Sequence, residues 1–552
     1  MSLLARMTLI YESKYFTIIL IISISTLFHL YNVTGFPTIH IDEGTYMYRA
    51  MHFLTLGNVG WNVSFYDHPY FGPVLLGILL KVVNYPLLVL SDTQFQGLAN
   101  NPYLIPRLMM GLFAIIDTFL VYAISKRLYD RNVAILSAVL FSVMPFTWAL
   151  RRIYLESLLL PFFLGSVLLV LYSNYQNQSN RKNTWLLISV SGILFGLSVF
   201  TKAPIFLMIP LLIYLIYKQN KELTYIIIFM IPVIVISTIW PLDALIKGEF
   251  EQWTLGVSSQ MMRHDAAMLD AIYNILEIDP TIFSIGIAGI LFAIIKRDYF
   301  ILLGIIPFLA FFSILIDYIN WFYMIPIFGF VCISSSVLII RIISSFSKFK
   351  LFTVSIIGLV ITFGFLSTLL LILTDVGSFQ DQTISYINAI LSNGDINFDL
   401  GLEDPFKQKN AEPISDLGNS QRERNNLRDS NINKLKTTMI ASPIYSWIYK
   451  YIYSYNETSY SYTEDKEFRN DTKLILVLDR YFRDFLANNV ESKNRTWNQD
   501  IASADRIYEV MKRLNSSKYF VGNGREFNFN QYPYSSMRFN LGGSPIEVRT
   551  NF

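Results

Sequence analysis

The chain has 552 residues, of which 53% are hydrophobic and 15% charged, and its mean hydropathy is +0.41. These values exclude an ordinary soluble protein and indicate a membrane protein. The net charge is only +3, so the chain has no electrostatic signature of nucleic-acid binding, and its single cysteine, Cys332, excludes a disulfide framework or a cysteine-based metal site.

Apolar segments long enough to span a bilayer recur through the first two-thirds of the chain and predict about eleven transmembrane helices. No cleavage site follows the first segment, which we interpret as an uncleaved helix. Segment 71–90 is also apolar but is interrupted by prolines, a lysine and an asparagine, which indicates a helix at the membrane interface. The predicted spans lie at 15–32, 104–125, 132–149, 152–173, 184–200, 204–217, 223–241, 281–295, 299–316, 321–340 and 351–374.

Lysine and arginine residues concentrate in alternate loops between the predicted spans, which indicates that these loops face the cytoplasm. We therefore expect a multi-pass protein of the cytoplasmic membrane with a cytoplasmic N-terminus. The loop after the first span, the 242–280 loop and the C-terminal tail then lie outside. Four N-glycosylation sequons fall in that tail and agree with this orientation; they begin at Asn456, Asn470, Asn494 and Asn515.

The chain changes character near Thr374, where the apolar spans end. We expect a transmembrane domain over 1–375, a partly flexible polar linker over 376–436 that begins with a helix at 384–391, and a small extracytoplasmic α/β domain over 437–552. The tail shows no phosphate-binding glycine loop, and the absence of internal repeats disfavours a secondary transporter. Its predicted strands are 437–441, 473–478 and 518–521, and its predicted helices are 444–453 and 504–514.

Two adjacent carboxylates, Asp42 and Glu43, follow the first predicted span. An aspartate at mid-bilayer costs about 2.5 to 3.5 kcal/mol on insertion scales, so this pair should lie at the membrane surface, where water or a lipid head group can meet it. A plainer alternative is a solvated loop in which Asp42 or Thr45 caps a helix over 46–56.

Cations cluster at the predicted outer boundary, against the usual charge bias of membrane proteins. A lipid-linked phosphate held at this interface would account for them, since arginine and lysine pair well with phosphate. The alternative is that each side chain extends to lipid phosphates without forming a site. The cations concerned are Arg107, Arg151, Arg152, Lys202 and Arg263.

Other ionisable residues leave alternatives open. Asp117 lies in the middle of a predicted span, where it could serve function or pair within the bundle. Three histidines and three carboxylates of the outer loops could in principle form an oxygen and nitrogen metal site, but no tight spacing such as His-Glu-x-x-His is present. These residues are His40, His68, His264, Asp42, Glu43 and Asp265.

The order of these features resembles the polytopic GT-C glycosyltransferases of the protein O-mannosyltransferase and lipid A aminoarabinose-transferase type, over roughly residues 15 to 375. The chain departs from the family at Tyr70, where a second proline is usual, and at Glu156, where aspartate is common. The motifs concerned are Asp42-Glu43, Asp67-His68-Pro69-Tyr70, Ile105-Pro106-Arg107-Leu108, Ser125-Lys126-Arg127-Leu128-Tyr129, Met144-Pro145-Phe146, Arg151-Arg152-Ile153-Tyr154-Leu155-Glu156 and Gly196-Leu197-Ser198-Val199-Phe200-Thr201-Lys202.

The resemblance implies the GT-C fold and an inverting sugar transfer from a polyprenyl-phosphate donor, such as dolichyl phosphate mannose. The acceptor would be a protein, lipid or glycan outside the cytoplasmic membrane. Fixed cations can stabilise the departing lipid phosphate, and a carboxylate can accept the proton of the acceptor hydroxyl. Because a phosphate leaving group needs no general acid, we expect no obligatory metal or cofactor.

The resemblance also implies roles for individual residues. Asp42 would be the general base, and Glu43 would orient the acceptor or the sugar. The phosphate clamp would be formed by Arg107, Arg152 and Lys202, with His68 and Glu156 lining the site. The alternative is a polytopic transporter, or a membrane anchor for the C-terminal domain, without transferase activity.

Overall fold

A computed structural model describes most of the transmembrane region and parts of the tail. The described residues are 14–57, 66–85, 101–173, 181–262, 268–316, 321–345, 350–393, 437–452, 459–461, 473–491, 511–512, 514, 516–520 and 546–550. The predicted fold class, a helical multi-pass membrane protein with a small C-terminal sheet region, is confirmed.

The first half of the described chain is helical, with 3₁₀ segments at Pro145–Arg151 and Ala203–Met208. The loop between the first two helices carries His40, and the 3₁₀ segment Pro145–Arg151 precedes Arg152. The helices are α1 (Lys14–Leu30), α2 (Ile41–Leu56), α3 (Phe71–Val82), α4 (Leu104–Leu128), α5 (Arg131–Val143), α6 (Leu155–Tyr172), α7 (Arg181–Thr201) and α8 (Ile209–Asn220).

The second half continues as helices up to the linker. The predicted helical start of the linker, 384–391, lies within the last of them, and 394–436 fall outside the described residues. The helices are α9 (Leu223–Ser237), α10 (Ile239–Ile246), α11 (Phe250–Met261), α12 (Met268–Ile278), α13 (Ile282–Lys296), α14 (Tyr299–Phe311), α15 (Ile325–Ser345), α16 (Lys350–Leu373) and α17 (Ser378–Asn393).

Within the described ranges, seven helices are long and apolar enough to cross a membrane, and the bent pair formed by α5 and the following 3₁₀ segment makes up to eight. Three shorter apolar helices, at 16–30, 282–296 and 299–314, coincide with further predicted spans. Length and composition thus select seven or eight spans, whereas the sequence predicts about eleven.

Two predicted elements differ from the observed ones. The span predicted at 132–149 breaks at Met144, which is extended before Pro145, and the chain bends there by 71°. Proline disfavours the helical conformation of the residue before it, which explains the break. In the predicted interfacial segment 71–90, α3 ends at Val82 and Asn84 follows with a φ of 59°, whereas 86–90 lie outside the described residues. The predicted 242–280 loop contains the helices α11 and α12.

The tail forms a five-stranded mixed sheet with the order β2-β1-β3-β5-β4. β1 pairs in parallel with β2 and β3, whereas β5 is antiparallel to β3 and β4. The elements are β1 (Thr437–Ala441), α18 (Pro443–Trp447), β2 (Ser459–Ser461), β3 (Lys473–Leu478), α19 (Arg480–Glu491), β4 (Ser516–Phe520) and β5 (Ile546–Thr550).

The predicted tail strands 437–441 and 473–478 are present with the predicted bounds, and the third begins two residues earlier than predicted. The predicted helix 444–453 is split into α18 and a π turn, Ile448–Ile452. Most of the predicted helix 504–514 lies outside the described residues. β2, α19 and β5 were not predicted.

The tail packs directly on the transmembrane region. The hydroxyl of Tyr103 donates to the carbonyl of Ile444 at 2.8 Å and accepts from Trp447 Nε1 at 2.7 Å. The hydroxyl of Tyr449 donates to the carbonyl of Ile384 in α17. These buried contacts place α18 beside the outer ends of α2 and α4, next to the predicted site.

Candidate active site

The helix that carries the acidic pair begins at Ile41, five residues before the predicted start, and its N-cap is His40 instead of Asp42 or Thr45. His40 Nδ1 accepts a hydrogen bond from the backbone of Asp42 at 3.3 Å, and Glu43 Oε1 accepts one from the backbone of His40 at 2.9 Å. This reciprocal arrangement is a capping box with histidine in the place of serine or threonine. It fixes both carboxylates at the first turn of α2.

Glu43 is fully buried and forms a two-pronged ion pair with Arg107. Arg107 Nε and Nη2 donate to its two carboxylate oxygens at 2.9 and 2.7 Å, and the backbone of Ile153 donates to Oε2 at 3.2 Å. Burial raises the pKa of Glu43, but Arg107 and then Arg152 outweigh it and hold the pKa below its usual value. Glu43 therefore joins α2, α4 and the segment before α6 as a charged carboxylate.

Arg107 is bonded mostly to protein acceptors. Besides its two bonds to Glu43, its Nη1 donates to the carbonyls of Val33 and Pro37 at 2.8 and 2.7 Å. Four of the five N–H groups of a guanidinium are thereby occupied. One N–H group is left for a ligand, and the phosphate-clamp role that the resemblance implies for Arg107 stays a prediction.

Asp42 points away from this buried pair. Its side chain is 32% exposed, whereas that of Glu43 is 0% exposed, and its Oδ2 lies 3.7 Å from His40 Nδ1. Burial, followed by the charge of Arg152, lowers the pKa of His40 to about 3, so the imidazole is neutral at physiological pH. Asp42 is therefore the member of the pair that water or a substrate can reach.

Lys202 and Glu156 form a second buried ion pair, between the end of α7 and the start of α6. The ammonium of Lys202 also lies 3.8 Å from the ring centroid of Tyr323 and 5.4 Å from that of Phe322. Charge and aromatic rings thus meet at this end of the spans, and the side chain of Lys202 is only 7% exposed.

Arg152 lies between the buried pair and an aromatic surface. Its Nη1 is 3.5 Å from Glu43 Oε1, and its guanidinium lies 5.2 Å from the Trp148 ring and 5.7 Å from the Tyr154 ring. Nε and Nη1 have no hydrogen-bond partner among the described residues. Arg152 thus keeps donor capacity that Arg107 has used, which suits a phosphate-binding role.

An aromatic cluster connects these charges, and we define it as His40, Tyr154, Phe322 and Tyr481. The His40 ring lies 5.6, 6.1 and 5.3 Å from the rings of Tyr154, Phe322 and Tyr481, and Tyr154 lies 4.9 Å from Phe322. Arg152 contacts this cluster through Tyr154 and Lys202 through Phe322. The structure therefore brings Asp42, Arg152 and Lys202 to one site.

Tyr46 is a buried tyrosine one turn after Asp42 on α2. Burial is the main cause that raises its pKa, and the charges of Asp42, Glu156 and Asp67 add to the rise. Its helical spacing from Asp42 is the one sequence signal for this tyrosine.

His68 follows a residue that ties its loop to α2. Burial lowers the pKa of His68 to about 4; the charge of Asp67 opposes this fall and that of Lys202 adds to it. Asp67 pairs with Arg49 of α2 at 2.8 Å, which holds this part of the loop against that helix. The resemblance implies that His68 and Glu156 line the site, and this stays a prediction.

Several other candidates lie elsewhere. Arg151 is fully buried and donates to the carbonyl of Tyr31 at the end of α1. Asp117 is buried in α4, and its carboxylate has no hydrogen-bond partner among the described residues. Residues 263–267, which include the predicted candidates Arg263, His264 and Asp265, lie outside the described residues. Within the described part, no three histidine, cysteine or acidic side chains group as metal ligands.

Sequence reasoning missed Tyr481, which reaches the site from the tail. Its helix, α19, has a readable signal: Asp479 precedes it as a cap, and apolar residues follow at helical spacing in Tyr481, Phe482 and Leu486. Phe322 and Tyr154, by contrast, sit in apolar or motif-bearing stretches where their sequence does not distinguish a site residue from a core residue.

Comparison with known proteins supports the predicted resemblance. The sequence model of the family described as dolichyl-phosphate-mannose-protein mannosyltransferase matches residues 60–247, about a third of the chain. This match includes Arg107, Arg152, Glu156 and Lys202. A search of curated proteins gave no significant match.

The fold is similar to solved GT-C enzymes. ArnT from Cupriavidus metallidurans, bound to undecaprenyl phosphate, matches at a TM-score of 0.50 and 12% identity, over 86% of this chain and 94% of that one. The oligosaccharyltransferase of Archaeoglobus fulgidus, tethered to an acceptor peptide, aligns at a TM-score of 0.49 and 11% identity, over 93% and 74%. The chain therefore has the fold of the polytopic GT-C proteins, and residues 60–247 match the model of a mannosyltransferase family.

Proposed function

We propose that the protein transfers a sugar, with inversion, from a polyprenyl-phosphate donor to a hydroxyl group of an acceptor outside the cytoplasmic membrane. The observation that carries this proposal is the position of Asp42. It is the accessible carboxylate of its pair, and it stands at an aromatic cluster that also holds Arg152 and Lys202. The family match and the undecaprenyl phosphate bound to ArnT support a lipid-phosphate donor.

The chemistry requires one base and a site for a departing phosphate. The acceptor oxygen attacks the anomeric carbon, and the bond from that carbon to the phosphate oxygen breaks. The acceptor proton passes to Asp42, and the polyprenyl phosphate leaves with the electron pair and gains negative charge. Arg152 and Lys202 are already fixed in place by Glu43, Glu156 and the rings, so they stabilise that charge without reorganisation.

The first donor to test is a polyprenyl phosphate mannose, and the first acceptor is a peptide with serine and threonine, since the family description names both mannose and protein. The lipid-linked donor is dissolved among the membrane lipids. Glycan and lipid acceptors are the next probes. The residues that hold the site need no metal in this scheme.

The test compares Asp42→Asn with wild type in transfer by the purified protein in detergent, at saturating donor and acceptor. Loss of a general base typically lowers the rate about 10²- to 10⁴-fold, and we expect that loss here with no change in donor affinity. The control is Asp243→Asn, which alters an outer carboxylate of similar exposure that pairs with Lys247. Near wild-type turnover by Asp42→Asn would reject Asp42 as the base.

We also propose the orientation of the chain. The lysine and arginine bias places the N-terminus in the cytoplasm and the tail outside, and Asp42 lies on the same side as the tail because α18 packs on α2. A fluorescent reporter that matures only in the cytoplasm, fused after Phe552, should stay dark. A bright fusion would place the site on the cytoplasmic side instead.

A further inference from the structure

The tail contacts the helix that carries Asp42 along three successive turns. A Cβ atom on Gly44 would lie 2.5 Å from the backbone of Pro443 and Ile444, so only glycine allows α18 to approach this closely. One turn later, Lys450 Nζ donates to the hydroxyl of Tyr48 at 2.7 Å. Residues four apart share a helix face, so the tail covers one complete side of α2.

The contact extends to the turn after that, where His52 Nδ1 lies 2.9 Å from the hydroxyl of Tyr451. It also extends to the first turn, where Ile41 packs against the tail core formed by Leu478, Phe482 and their neighbours. The residue before Asp42 and the residue two positions after it therefore both touch the tail.

The first turn of α19 is held firmly at this position. Asp479 accepts hydrogen bonds from the hydroxyl of Ser442 and from the backbone of Phe482, which ties the start of α18 to the start of α19. Tyr481 follows, and its ring centroid lies 5.3 Å from that of His40 at an angle of 77°. The tail thus supplies the fourth member of the aromatic cluster.

We propose that Tyr481 is an acceptor-binding residue, so that the C-terminal domain forms one wall of the active site. This inference rests on the proposed transfer reaction and names the side on which the acceptor binds. Arg152 and Lys202 come from the ends of membrane spans, which is the direction from which a lipid-linked donor arrives. Tyr481 comes from the polar tail and contacts His40, the residue that caps the first turn of α2.

The surroundings of Tyr481 fit this assignment. It is partly exposed, and Arg480 beside it is exposed, so the approach along α19 is open to water. Burial is the main cause that raises the pKa of Tyr481; the charge of Arg152 opposes the rise, and that of Asp42 adds to it. An acceptor that comes from water to Asp42 along this side passes the tyrosine ring.

The chemistry of the side chain defines what it can bind. Its ring offers a flat apolar face, and its hydroxyl both donates and accepts hydrogen bonds. Such a residue suits a neutral acceptor that presents a hydroxyl group beside an apolar surface, as a threonine side chain or a sugar ring does. Tyr481→Phe removes the hydrogen-bonding group alone, whereas Tyr481→Ala removes the wall.

The experiment measures transfer of mannose from a synthetic polyprenyl phosphate mannose to a threonine peptide, and to a free oligosaccharide, while each substrate is varied. For whichever acceptor wild type modifies, Tyr481→Ala should raise its KM about tenfold and leave the KM for the donor unchanged. Binding of undecaprenyl phosphate should also be unchanged. The control is Tyr519→Ala, which alters an exposed residue of β4 in the tail sheet and should resemble wild type.

Two results would overturn the inference: an unchanged acceptor KM in Tyr481→Ala, or a rise in the donor KM and weaker binding of undecaprenyl phosphate, which would place the tyrosine on the donor side. If Tyr481→Ala fails to fold, Tyr481→Phe and a photoreactive p-benzoylphenylalanine at position 481 replace it. The photoreactive variant should cross-link to the acceptor, and the same group at position 519 should not. If wild type modifies neither acceptor, the proposed function itself fails.

Discussion

The two sides of the first turn of α2 use neighbouring carboxylates in opposite ways. On the inner side, Glu43 is fully buried and held by Arg107, which spends its other donors on backbone carbonyls. On the outer side, Asp42 is one-third exposed and faces an aromatic cluster. The first arrangement leaves a single N–H group for a substrate, whereas the second leaves an acid that a substrate can reach.

A similar contrast distinguishes the two buried ion pairs, Arg107 with Glu43 and Lys202 with Glu156. Arg107 ends in a closed set of protein acceptors, whereas Lys202, although paired with Glu156, also lies against the rings of Tyr323 and Phe322. A planar guanidinium whose N–H groups are bonded mostly to protein acceptors holds the surrounding segments in place. An ammonium beside aromatic faces can still add a ligand. The position of a cation in the membrane is thus a poor guide to its role. The partners of its N–H groups are a better guide.

The largest effect that tests this contrast is expected from Glu43→Gln. It leaves Arg107 buried without a counter-charge, and breaking a buried pair in this way typically costs about 3 to 5 kcal/mol. We expect a large fall in the apparent melting temperature and in the yield of monodisperse protein. Asp42→Asn, at a partly exposed site, should change stability by about 0.5 kcal/mol or less.

The double variant Glu43→Gln with Arg107→Met sharpens this prediction, because it removes both charges. It should recover part of the lost stability if the pair is structural. If Glu43→Gln instead melts like wild type and loses turnover, Glu43 acts in the chemistry, and the division of roles within the acidic pair is wrong.

The next effect concerns Lys202. Lys202→Met leaves Glu156 buried and unpaired, so it should lose both stability and donor affinity. The double variant Lys202→Met with Glu156→Gln carries no unpaired charge and should recover stability alone. A lost charged hydrogen bond is worth about 1.5 to 3 kcal/mol, which predicts donor binding weaker by about 10- to 150-fold in both variants.

Donor affinity is measured by titration with undecaprenyl phosphate. Lys247→Met, which alters an outer lysine paired within α10, is the control and should bind like wild type. Recovery of full affinity in the double variant would mean that Lys202 only balances Glu156, and Arg152 would then be the main phosphate ligand.

Part of this contrast could be predicted from the sequence, and part could not. Apolar length predicts most of the spans, and the cost of burying charge predicts that Asp42 and Glu43 lie at a membrane boundary. Which of the two points inward depends on the helix start, because successive residues differ by about 100° around the axis. That start is set by His40, and the partner of Glu43 lies 64 residues away in α4. Local sequence contains neither fact.

The tail shows the same limit. β1 and β3 are short apolar runs and could be predicted, but β5 pairs with β3 and β4 only through antiparallel pairing, in the case of β3 across a long stretch of chain. α19 was missed because half of its residues are polar, although its apolar face has helical spacing. Its place above His40 follows from the docking of the tail on Gly44 and Tyr103, which is a property of the folded molecule.

The smallest effect concerns how the tail is held. Burial raises the pKa of Asp479 to about 6, above the value of about 3.9 of an unfolded aspartate. Because the folded-state pKa is the higher one, the stability that this group contributes is greatest at acid pH. It declines as the pH rises through the range from about 4 to about 6 and is lost above it.

The isosteric Asp479→Asn tests this, because an amide can still accept from Phe482 through its oxygen and donate to Ser442 through its nitrogen. Between about pH 5 and about pH 7.5, wild type should lose about 1 kcal/mol of stability from this group, and the variant should not. The measurement is the apparent melting temperature in detergent at the two pH values, with Asp243→Asn as the control. An equal loss in wild type and in Asp479→Asn would mean that the link between α18 and α19 does not titrate. The position of Tyr481 above His40 would then be independent of pH in this range.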